Sequence, residues 1–391
     1  MYYYFEIPLY SIVVNLLLLP MVGLLLLAAA VAALLGLIWM EGAKWVIVPS
    51  ASIVHLYDSV SAWVCTLPYA NLITGKPKLE TILVYELLFF GMLAWWRRKG
   101  YKRWSRGKLC LAGFALFFFC FFCPQKGEAE IVFLDVGQGD GIYIHTEDGY
   151  RMFIDGGSSS IKEVGTYRIL PFLKSKGVKS IDFWFLSHAD ADHSSGLLEV
   201  MEAGYSIKTL IVSAQMPKDE AYAELVKIAR KNQIPIRTMT AGNQIKIGDA
   251  TVRCLYPSPK DSSKDRNQQS LVIDLSIEGF RCLFSGDISK EEEQKLIERK
   301  LLGNYDIYKA AHHGAKLSNS EDLLSQCGAK LVVISCGENN RYGHPHEETI
   351  MRFAEADCVV FMTPECGAIK VELQENNVRI LPFKKNVNQP E

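Results

Sequence analysis

Between residues 7 and 40 the chain of 391 residues contains no charged side chain. That absence excludes a water-facing helix or loop there, because about 20 apolar residues suffice for a helix to cross a bilayer. The run is also too long for a cleaved signal peptide and lacks the basic start of one. Internal repeats and low-complexity segments are missing, which leaves out solenoids and disordered tails. No C-x-x-C pair occurs among the six cysteines past residue 128, Cys254, Cys282, Cys327, Cys336, Cys358 and Cys366. They stand in apolar runs such as "RCLF", "VVISC" and "DCVVF" and read as small buried hydrophobes rather than zinc ligands. Whether any of them pair as disulfides stays open.

Neither sign of charge prevails over the whole chain, with 42 basic and 43 acidic residues, but the balance hides a division. Residues 1–127 hold 11 of the basic and 5 of the acidic side chains, an excess of six positive charges, and the remainder has an excess of seven negative ones. The first part reads as multi-pass cell membrane. Spans are expected at residues 7–40, at 81–96 with only Glu86 interrupting, and at 109–123, which is short. Ile53, Leu56, Val60, Trp63, Val64 and Leu67 recur at helical spacing and predict a helix that lies at the interface or packs on its neighbours. "RRKGYKRWSRGK", with seven Lys or Arg, falls between two apolar spans and after Trp95 and Trp96, so it reads as a cytoplasmic loop. Everything past residue 126 is then extracytoplasmic.

Past residue 128 the texture changes to alternating strands and helices. "EIVFLDV", "GIYIHT", "RMFID" and "SIDFWFLSH" predict strands, as do "KTLIVSA", "TVRCLYP", "QSLVIDLSIEGFRCLFSGD", "YDIYKAAHH" and "KLVVISC". Helical patterns stand in "DEAYAELVKIARKN", "SKEEEQKLIERKLL" and "HEETIMRFAEA". Polar residues recur where strands end: Asp155 in "FIDGG", His188 in "FLSH", Asp287 in "LFSGD", His312 and His313 in "AAHHG", and His344 just past "VVISC". Six of the eight histidines, His188, His193, His312, His313, His344 and His346, belong to this set. Buried without partners, such groups would cost several kcal/mol each. Asp and neutral His are the usual oxygen and nitrogen ligands of Zn²⁺ and Mn²⁺, and a cation pair needs ligands from several loops with one carboxylate bridging.

These stretches resemble a known family. "SHADADHSSG" resembles the H-x-[HD]-x-D-H signature of the metallo-β-lactamase superfamily, "FIDGG" the strand motif before it, and "LFSGD" the loop that supplies a bridging carboxylate. "FLDVGQGDG", the doublet in "AAHHGA" and "YGHP" narrow the resemblance to the hydrolase-like domain of the ComEC family of DNA-internalisation competence proteins. It covers residues 128–384 strongly, and residues 5–125 resemble the tail of that family's channel region. The resemblance implies an α/β fold, a metallo-β-lactamase αββα sandwich over residues 126–391, following an α-helical transmembrane region over residues 1–125. The chain reads as a fragment or split product of such a protein. Asp190 stands where many superfamily members have His, a harder ligand that shifts preference towards Mn²⁺. The usual middle histidine is missing, because none lies between His193 and Asp287; ComEC-type domains share that pattern.

With two divalent cations, Zn²⁺ or Mn²⁺, the expected roles follow. His188, Asp190 and His312 hold one, Asp192 and His193 the other, and Asp287 bridges; His313 is nearly as good a ligand candidate as His312. Asp192, His313 and His344 are the candidates for catalysis, with His344, and His346 beside it, donating to a phosphate oxygen or protonating a leaving group. Asp155 orients a ligand histidine or serves only as a turn former before Gly156. Asp135, Gln138 and Asp140 of "DVGQGDG" are candidates to face the site, and Asn267 and Ser270 to contact phosphate.

The expected function is a membrane-tethered, metal-dependent phosphodiesterase that degrades the non-imported strand of extracellular DNA during uptake. Its expected partners are single-stranded DNA, the membrane and other competence-channel components. The acidic excess argues against a general polyanion binder. Two alternatives stay open: an envelope hydrolase of small phosphodiesters or choline-phosphate, and a metal-stabilised binding or gating module of a DNA channel.

Overall fold

The structure, a computed structural model, describes residues 3–100, 105–122, 127–261, 263–374 and 377–384. Residues 101–104 of the basic loop and residues 123–126, where the chain was expected to leave the membrane, lie outside the described residues. Contacts divide the chain into two compact units, Met1–Cys123 with Lys174–Val178, and Pro124–Leu173 with Lys179–Glu391.

The first unit is helical: α1 (Ser11–Gly36), α2 (Met40–Cys65), α3 (Leu79–Trp95) and α4 (Arg106–Phe122). The apolar run expected as one span breaks at residues 37–39, where Trp39 N donates to Leu35 O and α2 begins. The helix expected around Ile53 therefore starts earlier, at Met40, and runs through Pro49. α2 packs along α1, and Tyr57 Oη donates to Leu18 O at 2.6 Å. α3 packs on α4 with the Tyr85 and Phe117 rings edge to face, 5.7 Å between centroids. Among the described residues, two helices, Ser11–Gly36 and Leu79–Arg98, are long and apolar enough to cross a membrane.

The second unit is built on two large sheets with helices outside, and a short parallel pair joins Ser180–Ile181 to Ser206–Ile207. One has eight strands in the order β6-β5-β4-β3-β2-β1-β14-β15. These are β1 (Ala129–Phe133), β2 (Gly141–His145), β3 (Arg151–Asp155), β4 (Phe183–Leu186), β5 (Leu210–Ser213), β6 (Ile236–Met239), β14 (Ile369–Gln374) and β15 (Asn377–Pro382). The other has seven, β7 (Gln244–Ile247) through β13 (Val359–Met362), in chain order: β8 (Ala250–Tyr256), β9 (Val272–Ile277), β10 (Phe280–Phe284), β11 (Ile307–Lys309) and β12 (Leu331–Ile334) lie between. No motif announced β14, which pairs antiparallel with β1 from the far end of the chain.

Burial on both faces explains why the strands read as continuous apolar runs. In β10, Cys282 and Phe284 point between the sheets, where Phe284 meets Phe133 of the other sheet at 6.4 Å, while Leu283 joins the outer layer with Leu296, Leu323 and Phe353. The outer helices include α5 (Ala191–Glu202), α6 (Glu220–Lys231), α7 (Lys290–Glu298), α8 (Glu321–Cys327) and α9 (Glu347–Glu355). Cys254, Cys282, Cys327 and Cys336 are buried thiols, as their apolar neighbours predict.

Candidate metal centre

β3, β4, β10 and β11 all run out at the same edge, and the candidate residues follow their last positions. Asp155 closes β3 with φ +58°, a left-handed conformation uncommon outside glycine. It accepts from Ser187 N at 2.7 Å and Ser187 Oγ at 2.9 Å, and its Oδ2 stands 2.9 Å from His193 Nδ1. "HADADH" spans two conformations: His188 and Asp190 lie in the extended link after β4, and Asp192 and His193 in the first turn of α5, with Asp190 at its N-cap. His188 Nδ1 faces Ser187 Oγ at 3.0 Å and Ser270 Oγ at 3.3 Å, and its Nε2 lies 3.7 Å from Asp190 Oδ2.

The histidine doublet follows β11 with φ +48° at His312 and +54° at His313. Two successive left-handed non-glycine residues store on the order of 1–3 kcal/mol each, and strain of that kind gathers at functional sites. His313 is buried, its Nδ1 2.9 Å from Ser335 O, with Nε2 3.5 Å from Asp287 Oδ2 and 3.7 Å from Asp192 Oδ2. His312 is a third exposed, with Nε2 3.7 Å from Asp287 Oδ2. His193 Nε2 comes within 3.1 Å of Asp287 Oδ1 but out of hydrogen-bonding line.

Whether this set fits a metal is answered by its unpartnered atoms. The Nε2 atoms of His188, His193 and His313 and Oδ1 of Asp287 are all buried without a hydrogen bond. Buried polar atoms left so are rare and costly. Donor atoms of Asp192, His193, Asp287 and His313 lie within 4.8 Å of one another, and those of Asp140, Asp155 and His193 form a second such group. The donors are imidazole nitrogens and carboxylate oxygens, as Zn²⁺ or Mn²⁺ takes, and the residues fit. Asp155 stands behind His193 as carboxylates stand behind ligand histidines.

Burial alone would lower the rings of His193 and His313, but Asp287, with Asp155 beside His193 and Asp140 beside His313, raises both well above the ordinary imidazole value. Burial alone would raise the Asp287 carboxyl, but the rings of His193 and His313 hold it well below the usual carboxylate range. Burial lowers His188, helped by His193, towards the neutral form that ligates metals. His344 is pushed down to about 4 by burial and by the neighbouring His313, His312 and His346 rings. At neutral pH its ring is uncharged, suited to donating a hydrogen bond rather than a proton.

The "DVGQGDG" loop is more than a turn. At Gly139, φ +152°, an added Cβ would stand 2.3 Å from Gly157 O and 2.4 Å from Asp192 O, so only glycine lets the loop run against α5. Asp140 N donates to Asp192 O at 3.0 Å, and Gln138 joins His344 Nδ1 at 3.4 Å to Gly337 N at 3.1 Å. Asp135, expected to face the site, instead accepts from Gly137 N and pairs with Arg168 at 3.7 Å, because it precedes the turn. Ser270, expected to touch phosphate, is fully buried behind His188 and accepts from Asp287 N at 3.2 Å. Asn267 does line the cleft, and His346 stands behind His344 with 5.3 Å between rings.

Four residues of the site carried no expected role. Lys309 is buried with Nζ 2.9 Å from Asp140 Oδ1; a lone lysine inside the apolar run "IYKAA" was the available signal. Arg266 pairs with Asp190, and Arg341 and Tyr342 line the cleft, Tyr342 stacked on His344 with 5.7 Å between rings. The cleft measures about 430 Å³ and is bordered by Asp190, Asp192, Asp287, His312, His313 and His344 among others.

Two family models match the chain, one described as Competence protein over residues 1–99 and one described as Beta-lactamase superfamily domain over residues 150–308. The chain is 30% identical over 281 residues to ComE operon protein 3 of Bacillus subtilis (strain 168), covering 68% of this chain and 35% of that protein. It is 30% identical over 262 residues to Recombination protein 2 of Haemophilus influenzae, covering 66% of this chain and 30% of that one. The chain thus spans about a third of the length of these curated relatives. Among solved structures, the metallo-beta-lactamase fold protein YhfI from Bacillus subtilis aligns at 12% identity and a TM-score of 0.40, covering 60% of this chain and 96% of that one.

Proposed function

Since the chain joins a competence-protein segment to a metallo-β-lactamase-fold domain and is homologous to ComEC-family proteins, we propose that it is a membrane-tethered, metal-dependent phosphodiesterase that degrades the non-imported strand of extracellular DNA during uptake. The observation that carries the reading is the convergence of two buried, unpartnered imidazole Nε2 atoms, those of His193 and His313, on Asp287, with a third, that of His188, turned to Asp190, beside an open cleft. Asp192, His193, Asp287 and His313 would hold one divalent cation, and His188 and Asp190, with His312 at the rim, a second. Such cations supply a Lewis acid for phosphoryl oxygens and lower the pKa of an attacking water. The chain's own residues do the rest. Asp155 holds the His193 ring in place, Ser187 and Ser270 fix His188, and Ser335 O fixes His313. His344, neutral and tethered through Gln138, donates to a phosphate oxygen over the cleft.

The test uses the full chain in detergent, loaded with Mn²⁺ or Zn²⁺, on single-stranded DNA and on bis-p-nitrophenyl phosphate. Turnover of DNA supports the nuclease. The acidic excess of this domain favours a second reading, hydrolysis of small envelope phosphodiesters, and turnover of the small diester alone selects it. Metal uptake with no turnover of either leaves the binding or gating module. Placement outside the cell rests on the seven basic residues of 97–108, which resist translocation. External protease on intact spheroplasts should release the domain, and protection until lysis overturns that placement.

A further inference from the structure

No motif points to Arg266, yet it lines the cleft beside Asn267. Its guanidinium is held from two sides: Nη1 donates to Asp190 Oδ1 at 2.6 Å and Nε to Asp219 Oδ2 at 2.7 Å. Asp219 is itself fixed, as the N-cap of α6, by Tyr222 N at 3.1 Å. A guanidinium carries five N–H donors in a rigid fork matched to phosphate, and these two bonds engage only Nη1 and Nε.

Asp190 divides its two oxygens. Oδ1 takes Arg266, and Oδ2 turns to His188, 3.7 Å from the Nε2 that has no hydrogen bond. The same carboxylate therefore serves an anion-seeking group on one side and a candidate cation position on the other. The charges decide what Arg266 can do. One guanidinium between two carboxylates is a negative assembly that repels phosphate; a divalent cation on Oδ2 turns it positive.

We propose that Arg266 is a second phosphate contact of this cleft, beside His344, and that it becomes one only when a divalent cation takes up the charge of Asp190. The proposal rests on the phosphodiesterase reading and adds an order to it: cation first, substrate second. Arg341, the other arginine of the cleft, lies on the exposed rim and leans on Tyr342, 4.8 Å over its ring. It lacks carboxylate anchors among the described residues and serves as the comparison.

The probe is inorganic phosphate, its binding to the full chain in detergent measured by calorimetry with and without Mn²⁺, alongside the number of Mn²⁺ bound. Wild type should bind phosphate about ten-fold or more tightly with Mn²⁺ than without. Arg266→Gln should lose about ten-fold or more of the affinity measured in Mn²⁺, keep its Mn²⁺ stoichiometry, and exceed the loss in Arg341→Gln. Asp219→Asn removes one carboxylate and should bind phosphate better than wild type in the absence of Mn²⁺. Were Arg266→Gln not to fold, Arg266→Lys keeps the charge without the fork and should lose part of the affinity. Unchanged phosphate binding in whichever Arg266 variant folds, or binding in wild type that ignores Mn²⁺, overturns the proposal. Wild type that binds phosphate as described but cleaves no phosphodiester would sink the proposed activity and leave this anion site standing; turnover that survives with an indifferent Arg266 would do the reverse.

Discussion

In the helical unit Leu16 is 76% exposed and Trp45 78%, while in the α/β unit Trp184 and Phe153 have no exposure at all. Both units are rich in apolar side chains, but one turns them outward and the other folds them between layers. An outward apolar surface of that extent suits an apolar solvent, and on that outward face composition matters more than position: one apolar side chain replaces another at little cost. In the α/β unit the specification is positional. Asp287 and His313 have meaning only just past the ends of their particular strands and His193 only in the first turn of α5, and the apolar layers hold those places together.

The largest effect that would sharpen this contrast is on catalysis. Asp287→Asn keeps the shape but removes the carboxylate on which His193 and His313 converge, and phosphodiester turnover should fall about a thousand-fold or more, as when one member of a group acting as a unit is lost. The melting temperature should stay near that of wild type. A swap within α1 such as Leu24→Ile should change neither, and equal sensitivity of both residues would break the comparison.

Stability comes next. Phe153 stacks on Trp184 with 4.3 Å between centroids. Phe153→Ala should destabilise the α/β unit by about 3–5 kcal/mol, whereas Leu16→Ala should stay within about 0.5 kcal/mol of wild type in detergent. Denaturant titration of both variants reads the difference, and a Leu16→Ala cost as large as that of Phe153→Ala would show that α1 is packed as a core.

How much of this the sequence displays differs within the site itself. Asp155, His188, Asp287 and the His312–His313 doublet announce themselves because strand periodicity stops at each of them, and the layers of the fold follow from the same periodicity. What stays hidden is whatever depends on partners distant in the chain. Asp140 meets Lys309, Asp190 meets Arg266, and β14 meets β1 only after folding. Nor does a one-dimensional pattern show direction. Ser270 sits in the expected segment but points behind the site, Asp135 turns to Arg168, and the left-handed backbone of the doublet has no residue signature, since neither residue is glycine. Breaks in the helical unit are poorly legible for the converse reason. Every residue around 37–39 is apolar, so the turn before α2 changes nothing in composition.

A smaller effect separates a support from a ligand. Asp155→Asn leaves the shape of the support but weakens its hold on His193 Nδ1, and Mn²⁺ affinity should fall about ten- to a hundred-fold, the range for groups that stand behind metal ligands. Equilibrium dialysis measures it. No change would return Asp155 to a turn former, which its φ of +58° alone would allow.

The smallest effect lies away from the site, where the α/β unit itself behaves like an ordinary surface. Arg299 grips Asp261 with both amines, at 2.6 and 2.7 Å, and Ser258 Oγ donates to it at 2.6 Å. The Arg299 bonds chiefly, and then Ser258 against the opposing pull of burial, hold the Asp261 carboxyl far below its ordinary range. A depressed carboxylate contributes stability that is present above the unfolded value of about 3.9 and is lost as pH falls through the folded value. Because Arg299 is exposed, the contribution should be at most about 1 kcal/mol. Asp261→Asn should therefore unfold slightly earlier than wild type in urea at pH 7, and the gap between the two should narrow as the pH is taken below about 4. A gap that is constant from pH 7 to pH 3 would assign the loss to the Ser258 turn, and a gap well above 1 kcal/mol would mean that this corner, too, is held by placed residues as the metal centre is.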